Sequence, residues 1–232
     1  MKIIGLIGGI TPESTIMYYQ VLNDLAKNHF GGSHSCKVII HSLDFGEIAK
    51  LQKEDRWDVL DTIMENAGKS LSNAGTDIIL ICANTMHLSI EAVRRQTDVP
   101  VIHIAEATAE QVIKGNLRTV ALLGTKYTME KDFFKDVLLS FGIKTVIPNL
   151  HDRTHIHNII YNELSKGIIN NASKQVYLQI IEKLIDDGVE GVILGCTEIP
   201  LLIKQKDVSV PVFDTTTIHA SKAFNEALNN LD

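Results

Sequence analysis

Two stretches of this chain can be laid over each other: GTDIILICANT at residues 75–85 and GVEGVILGCTE at residues 188–198. Each is a glycine, a short bridge and an almost unbroken apolar run. Such a run suits a strand buried on both faces, as in parallel sheets covered by helices. The overlay extends further. KIIGLIGG at 2–9 resembles RTVALLGT at 118–125, and DVPVIHI at 98–104 recurs as SVPVFDT at 209–215. The three pairs keep the same order at nearly the same separation, close to half of the 232 residues. Any two βα units share a glycine-and-apolar look, but three matched segments in order point to duplication.

Strands are predicted at 2–7, 37–41, 77–81, 101–103, 119–123, 144–147, 191–194 and 212–213. Helical spacing lies between them at 15–28, 57–74, 107–114, 131–140, 158–166 and 174–187. The fold class is α/β: two similar doubly wound parallel-sheet domains related by pseudo-twofold duplication. The first domain is predicted to hold 1–100 plus 212–232, the second 101–211, with a last helix from about Thr217 returning to the first. Ligands of open parallel sheets bind beyond the carboxyl ends of the strands. The active site is therefore expected in the cleft between the two domains.

Composition narrows the partners. With 45% apolar and 22% charged residues the chain can bury a core, and a formal net charge of −6 gives no electrostatic support for nucleic acid or an anionic membrane. The start, MKIIGLIGG, has none of the marks of a signal peptide, and no apolar run approaches the roughly 18 residues of a membrane span. The three cysteines are too scattered for a disulfide framework or a zinc pattern, which fits a reducing cytoplasm.

Three strand-to-helix turns carry the candidate chemistry. In GLIGGITPEST, Thr11 is placed to cap a helix with Pro12 at its first position, and Ser14 follows. Exposed N–H groups there would hold an anion; a plain, well-capped turn is the alternative. The G-x-G-x-x-G spacing is absent, and so is a Walker loop. In CANTMH, Asn84 and Thr85 are capping residues that also bring an amide and a hydroxyl to a strand end, with His87 a turn further on. In GCTEIP, Cys196 stands at a helix start, where a thiol pKa of about 8.5 falls, with Thr197 and Glu198 beside it. Cys196 is there either a nucleophile or base, or a structural cysteine. Lys166 closes a helical stretch, Gln52 and Arg56 follow HSLDFGEIAK, and His219 opens the last helix. His155 and His157 stand close together, but no nearby acid pair or cysteine makes them a metal site.

Taken together, GLIGGITPEST, HSLDF, CANTMH, ALLGTKYTME, GCTEIPLL and PVFDTTTIHA resemble the aspartate/glutamate racemase superfamily, in its amino-acid racemase branch. The resemblance covers nearly the whole chain. It implies cofactor-independent racemisation of an amino acid, often an acidic one, without pyridoxal phosphate or metal, by a cytoplasmic homodimer acting on a small-molecule substrate. It also implies two bases on opposite faces of the α-carbon, each just after a buried strand. Cys196 matches one. Asn84, Thr85 and Thr197 match positions that hold the amine and carboxylate, while Gln52 and Lys166 match recognition of a side-chain carboxylate.

The other base is normally a cysteine, and some relatives carry threonine; here the position is Ala83. The internal repeat sets the same register, with Ala83 opposite Cys196. Successive strand side chains point to opposite faces, so the neighbouring Cys82 faces away unless a sharp turn intervenes. Two-base racemisation is thereby put in question. Racemisation with another group on that face, Thr85 or a bound water, is one outcome; a one-base decarboxylase or isomerase acting on a dicarboxylate, and a non-catalytic carboxylate or amino-acid binder, are the alternatives. Cys82, Glu198 and His219 are auxiliary candidates.

Overall fold

The computed structural model describes residues 1–228. It divides into two compact units, Met1–Ile104 joined by the chain from His219, and Ala105–Ile218.

In the first unit β1 (Ile4–Gly8) lies between β2 (Val38–Ser42) and β3 (Ile78–Ile81), all parallel. Helix α1 (Pro12–Phe30) connects β1 to β2, and α2 (Phe45–Lys53) with α3 (Trp57–Asn73) connects β2 to β3. A 3₁₀ turn at Thr85–Ser89 and α4 (Ile90–Arg95) follow β3. Leu60, Met64, Ala67 and Leu71, one face of α3, pack against Ile79, Ile81 and Ala83. Each large side chain so buried contributes about 1.5–3 kcal/mol.

The second unit has strand order β5-β4-β6-β7, again parallel, from β4 (Thr119–Gly124), β5 (Lys144–Val146), β6 (Gly191–Gly195) and β7 (Val212–Asp214). Its helices are α5 (Ile104–Lys114), α6 (Lys126–Glu130), α7 (Asp132–Ser140), α8 (Leu150–Asn162), α9 (Asn171–Asp186) and the short α10 (Ile199–Leu202). Helix α11 (Thr215–Leu228) ends the described chain.

The duplication holds at the level of single hydrogen bonds. Ile79 and Val192 are equivalent in the sequence overlay, and so are Val101 and Val212. Ile79 bridges Val101 and Val192 pairs with Val212, both in parallel. The Ile79 N–H donates to Pro100 O at 2.9 Å, and the Val192 N–H to Pro211 O at 2.9 Å. The acids just before β3 and β6 act alike. Asp77 accepts the Ile3 N–H at 2.7 Å, and its counterpart Glu190 accepts the Thr119 N–H at 2.8 Å. Gly75 after α3 and Gly188 after α9 take φ of 84° and 92°, closing each helix into its strand.

Several predicted boundaries move. The strand expected at 101–103 is reduced to the single bridge at Val101, because the chain leaves the sheet to start α5 at Ile104. The helix expected at 158–166 begins eight residues earlier, where the Asn149 side chain accepts the Asp152 N–H at 3.0 Å, and it ends in a separate 3₁₀ turn, Leu164–Lys166. Helix α2, which was not predicted, is started by Asp44 accepting the Gly46 N–H at 2.9 Å. The domain boundary shifts as well: β7 pairs with β6, so residues 212–218 belong to the second unit rather than the first.

An added Cβ at Gly75 or Gly188 meets no atom within 4 Å, so only the backbone conformation resists it. Gly75→Ala and Gly188→Ala are each expected to lower unfolding free energy by about 1–2 kcal/mol, read as matched drops in urea midpoint. Unequal drops would show that the two turns are not equivalent.

Candidate active site

At the carboxyl end of β6 the chain turns through Cys196, Thr197 and Glu198 before the four residues of α10, with Pro200 in its first turn. All three turn residues are buried, Cys196 being 7% exposed. The thiol donates to Glu198 Oε2 at 2.8 Å. The Cys196 carbonyl accepts the Ile199 N–H at 3.3 Å, and Thr215 Oγ1 donates to Leu194 O at 2.9 Å, tying the start of α11 to β6. A helix start was expected to lower the thiol pKa. The opposite holds: burial first, then the Glu198 carboxylate, push it well above its ordinary value. One turn of helix has little dipole to set against a carboxylate in direct contact. A buried thiol hydrogen-bonded to a carboxylate stays protonated at rest and has a proton acceptor in place. That arrangement can exchange a proton with a carbon acid.

The equivalent strand end in the first unit holds Cys82, Ala83 and Asn84, all buried, with Thr85 partly exposed. Ala83, just past β3, packs in one core cluster with Ile79 and Ile81, just as Cys196, just past β6, packs with Val192 and Leu194. Cys82, at the bend between β3 and Ala83, is not part of that cluster. It is fully buried, and burial raises its thiol pKa. Asn84 was expected to cap a helix; it has helical φ and ψ instead, makes no side-chain cap bond, and leads into a 3₁₀ turn.

Below this turn lies a polar cluster within the first unit. His219 is fully buried, and both its nitrogens are engaged: Nε2–H donates to Ile102 O at 2.9 Å, and Nδ1 accepts from the Tyr18 hydroxyl at 2.8 Å. It sits one turn inside α11, which Asp214 starts by accepting the Thr216 N–H at 3.0 Å. His87 Nδ1–H donates to Ala83 O at 2.9 Å, while its buried Nε2 meets no hydrogen-bond partner among the described residues. The His87 ring lies 5.0 Å from that of His103 and 5.5 Å from that of His219. Burial, then repulsion from the other two rings, holds His87 well below the usual histidine value. Burial and nearby Arg94 bring His103 to about 4, against a weaker pull from Glu91. Burial, with smaller contributions from His103 and Lys222, brings His219 to about 3, although its bond to Ile102 opposes the shift.

The remaining candidates are spread more widely. Thr11 caps α1, accepting the Ser14 N–H at 3.3 Å, and the buried Ser14 hydroxyl donates to Cys82 O. Those bonds belong to a well-capped turn. Gln52 is buried on α2 with Nε2 3.2 Å from Met86 Sδ. Lys166 is exposed at the end of the 3₁₀ turn after α8, and Arg56 is paired with Asp58 at 3.0 Å. Tyr18 and His103 were not singled out from the sequence. His103 stands where the second half of the repeat has Asp214, a signal that was available.

Two parallel-sheet α/β units are the architecture of the Asp/Glu racemase class of enzyme. The chain belongs to the Asp/Glu/hydantoin racemase family, whose profile matches residues 7–223. A candidate Asp/Glu racemase from Yersinia pestis of known crystal structure is 46% identical over 99% of this chain and 100% of its own, with a TM-score of 0.93. An aspartate racemase homologue from Pyrococcus horikoshii OT3 is 41% identical over 98% of this chain and 99% of its own, TM-score 0.87. The broad specificity amino-acid racemase RacX of Bacillus subtilis is 23% identical over 97% of this chain and 98% of its own. Among the described residues no helix is long and apolar enough to cross a membrane.

The histidine cluster gives the fold an acid limit. Unfolded histidines take up protons near pH ~6.5, whereas His103 and His219 resist until about 4 and about 3. Stability from burying them neutral is complete above the unfolded value and is lost as pH falls below it. The urea midpoint is expected to drop between pH 7 and pH 5, and to drop less in His103→Gln. A midpoint flat across that range would show the rings to be charged in the folded protein.

Proposed function

We propose that the chain is a cofactor-independent amino-acid racemase of the aspartate/glutamate type that works with a single thiol. The observation that carries this reading is the 2.8 Å bond from Cys196 to Glu198 at the end of β6, in a chain of the Asp/Glu/hydantoin racemase family. Likeness to an aspartate racemase homologue supports an acidic substrate. RacX supports a wider range of amino acids.

An α-proton is removed only by a base matched to it in position and pKa. In this reading Glu198 accepts the Cys196 proton as Sγ takes the proton from the α-carbon. The opposite face, beside Ala83, takes its proton from Thr85 or a bound water, which completes the inversion; in the reverse direction Sγ–H delivers the proton and recovers its own from Glu198. The carbanion is stabilised by N–H and hydroxyl donors of Asn84, Thr85 and Thr197, fixed in place before the reaction. Those groups also hold the amine and carboxylate, while Gln52 and Lys166 recognise the side-chain carboxylate; Thr11 and Ser14 serve as the cap of the β1–α1 turn. His219 and Cys82 shape the turn without touching substrate. A cytoplasmic homodimer completes the proposal, and sedimentation velocity checks its assembly.

Ala83 favours a second reading. A methyl group cannot exchange a proton, so one face of the α-carbon has no thiol. A one-base decarboxylase or isomerase acting on a dicarboxylate would need no other.

Proton NMR in deuterated buffer separates the readings. The parent protein is expected to exchange the α-proton of one enantiomer of aspartate or glutamate, and Cys196→Ser to lose at least about a hundredfold in rate. Full exchange in that variant would show that Cys196 is not the base. Ala83→Cys should raise racemisation by about the same factor; no gain would favour one-sided chemistry. Saturable binding without exchange would leave a binder. In Glu198→Gln the thiol should be alkylated by iodoacetamide at lower pH, because the repelling carboxylate is gone. An unchanged or raised profile would mean that the carboxylate does not oppose the thiolate.

A further inference from the structure

We propose that His151 and His155, on the outer face of α8, form a two-imidazole site for a divalent late transition metal ion. They are four residues apart and therefore neighbours on a helix face, unlike His155 and His157, which are two apart. Their Nε2 atoms lie 3.2 Å from each other and their ring centroids 4.4 Å. A metal bound at about 2.1 Å from each nitrogen would subtend about 100° at that separation, between the square and tetrahedral values.

The second shell is also in place. His151 Nδ1 faces Asp152 Oδ1 at 3.4 Å, and this favours the tautomer with hydrogen on Nδ1 and a bare Nε2. The Asp152 carboxylate is buried and held in turn by Asn149 Nδ2 at 2.9 Å and Lys183 Nζ at 3.4 Å. Without metal, one Nε2 must donate to the other. A metal ion replaces that shared hydrogen and takes both lone pairs.

Among the described residues no group of three or more ligating side chains is assembled, so water or a small anion completes the coordination. Two imidazoles with open positions select copper, nickel or zinc over magnesium or calcium, which prefer oxygen ligands. The buried side of the helix contributes Ile156, Ile159 and Ile160 to the core cluster that contains Cys196. A metal here would pin the first turns of that helix.

Calorimetric titration of the full chain with Ni²⁺ tests the site, since copper would also oxidise thiols. One equivalent is expected to bind, with no binding of Mg²⁺. His151→Ala and His155→Ala should each weaken binding by at least about tenfold. Ni²⁺ should raise the thermal midpoint of the parent but not of the double variant, whose circular dichroism should match the parent because both rings are exposed. A double variant that binds Ni²⁺ as the parent does, or an affinity carried by one histidine alone, overturns the proposal.

Discussion

The two-residue period of a buried strand is the constraint on which the rest depends. In β6 it sends Val192 and Leu194 to one face, and in β3 Ile79 and Ile81; Cys196 and Ala83, just past the strand ends, join the same two core clusters. A shift of one residue in either strand would turn its core set away from the helices that cover it. The strand therefore cannot slide to bring Cys82 forward without exposing isoleucines. The side chain that meets the end of each central strand is fixed by packing several residues earlier.

Electrostatics at the end of β6 follow from the same burial. A thiol in water needs no help to ionise at mildly alkaline pH; one enclosed beside a carboxylate does. The contact between Cys196 and Glu198 sets a carboxylate oxygen 2.8 Å from the sulfur, within reach of its proton. The histidine cluster behind Ala83 works on the opposite principle. It supplies hydrogen bonds to the backbone without charge, and His87 and His219 hold the Ala83 and Ile102 carbonyls in place.

Much of this was legible in the sequence because it rests on local pattern. The apolar runs mark the buried strands, and the overlay of GTDIILICANT on GVEGVILGCTE by itself sets Ala83 against Cys196. What could not be read there depends on distance in space. The helix start at Cys196 suggested a lowered thiol pKa; only the packed side chains reveal a carboxylate in contact and a helix of a single turn. Val101 read as part of a strand because its segment matches that of β7, yet it keeps only the bridge. The bonds among Tyr18, His219 and Ile102 join residues far apart along the chain, and periodicity has no access to those. Helix α8 was placed too late because its start lies in a run of histidines and polar residues with weak apolar spacing.

The two final helices of the repeat trade places. Helix α5 follows the first copy's last sheet residue, yet from Ala105 it groups with the second unit; α11 follows the second copy's last strand, yet from His219 it groups with the first. Each copy of the ancestral segment thus finishes a fold that began in the other. Scission of the polypeptide at residue 104 would not liberate two autonomous modules. It would strip Tyr18 of its imidazole acceptor and leave the amino-terminal piece short of its closing helix.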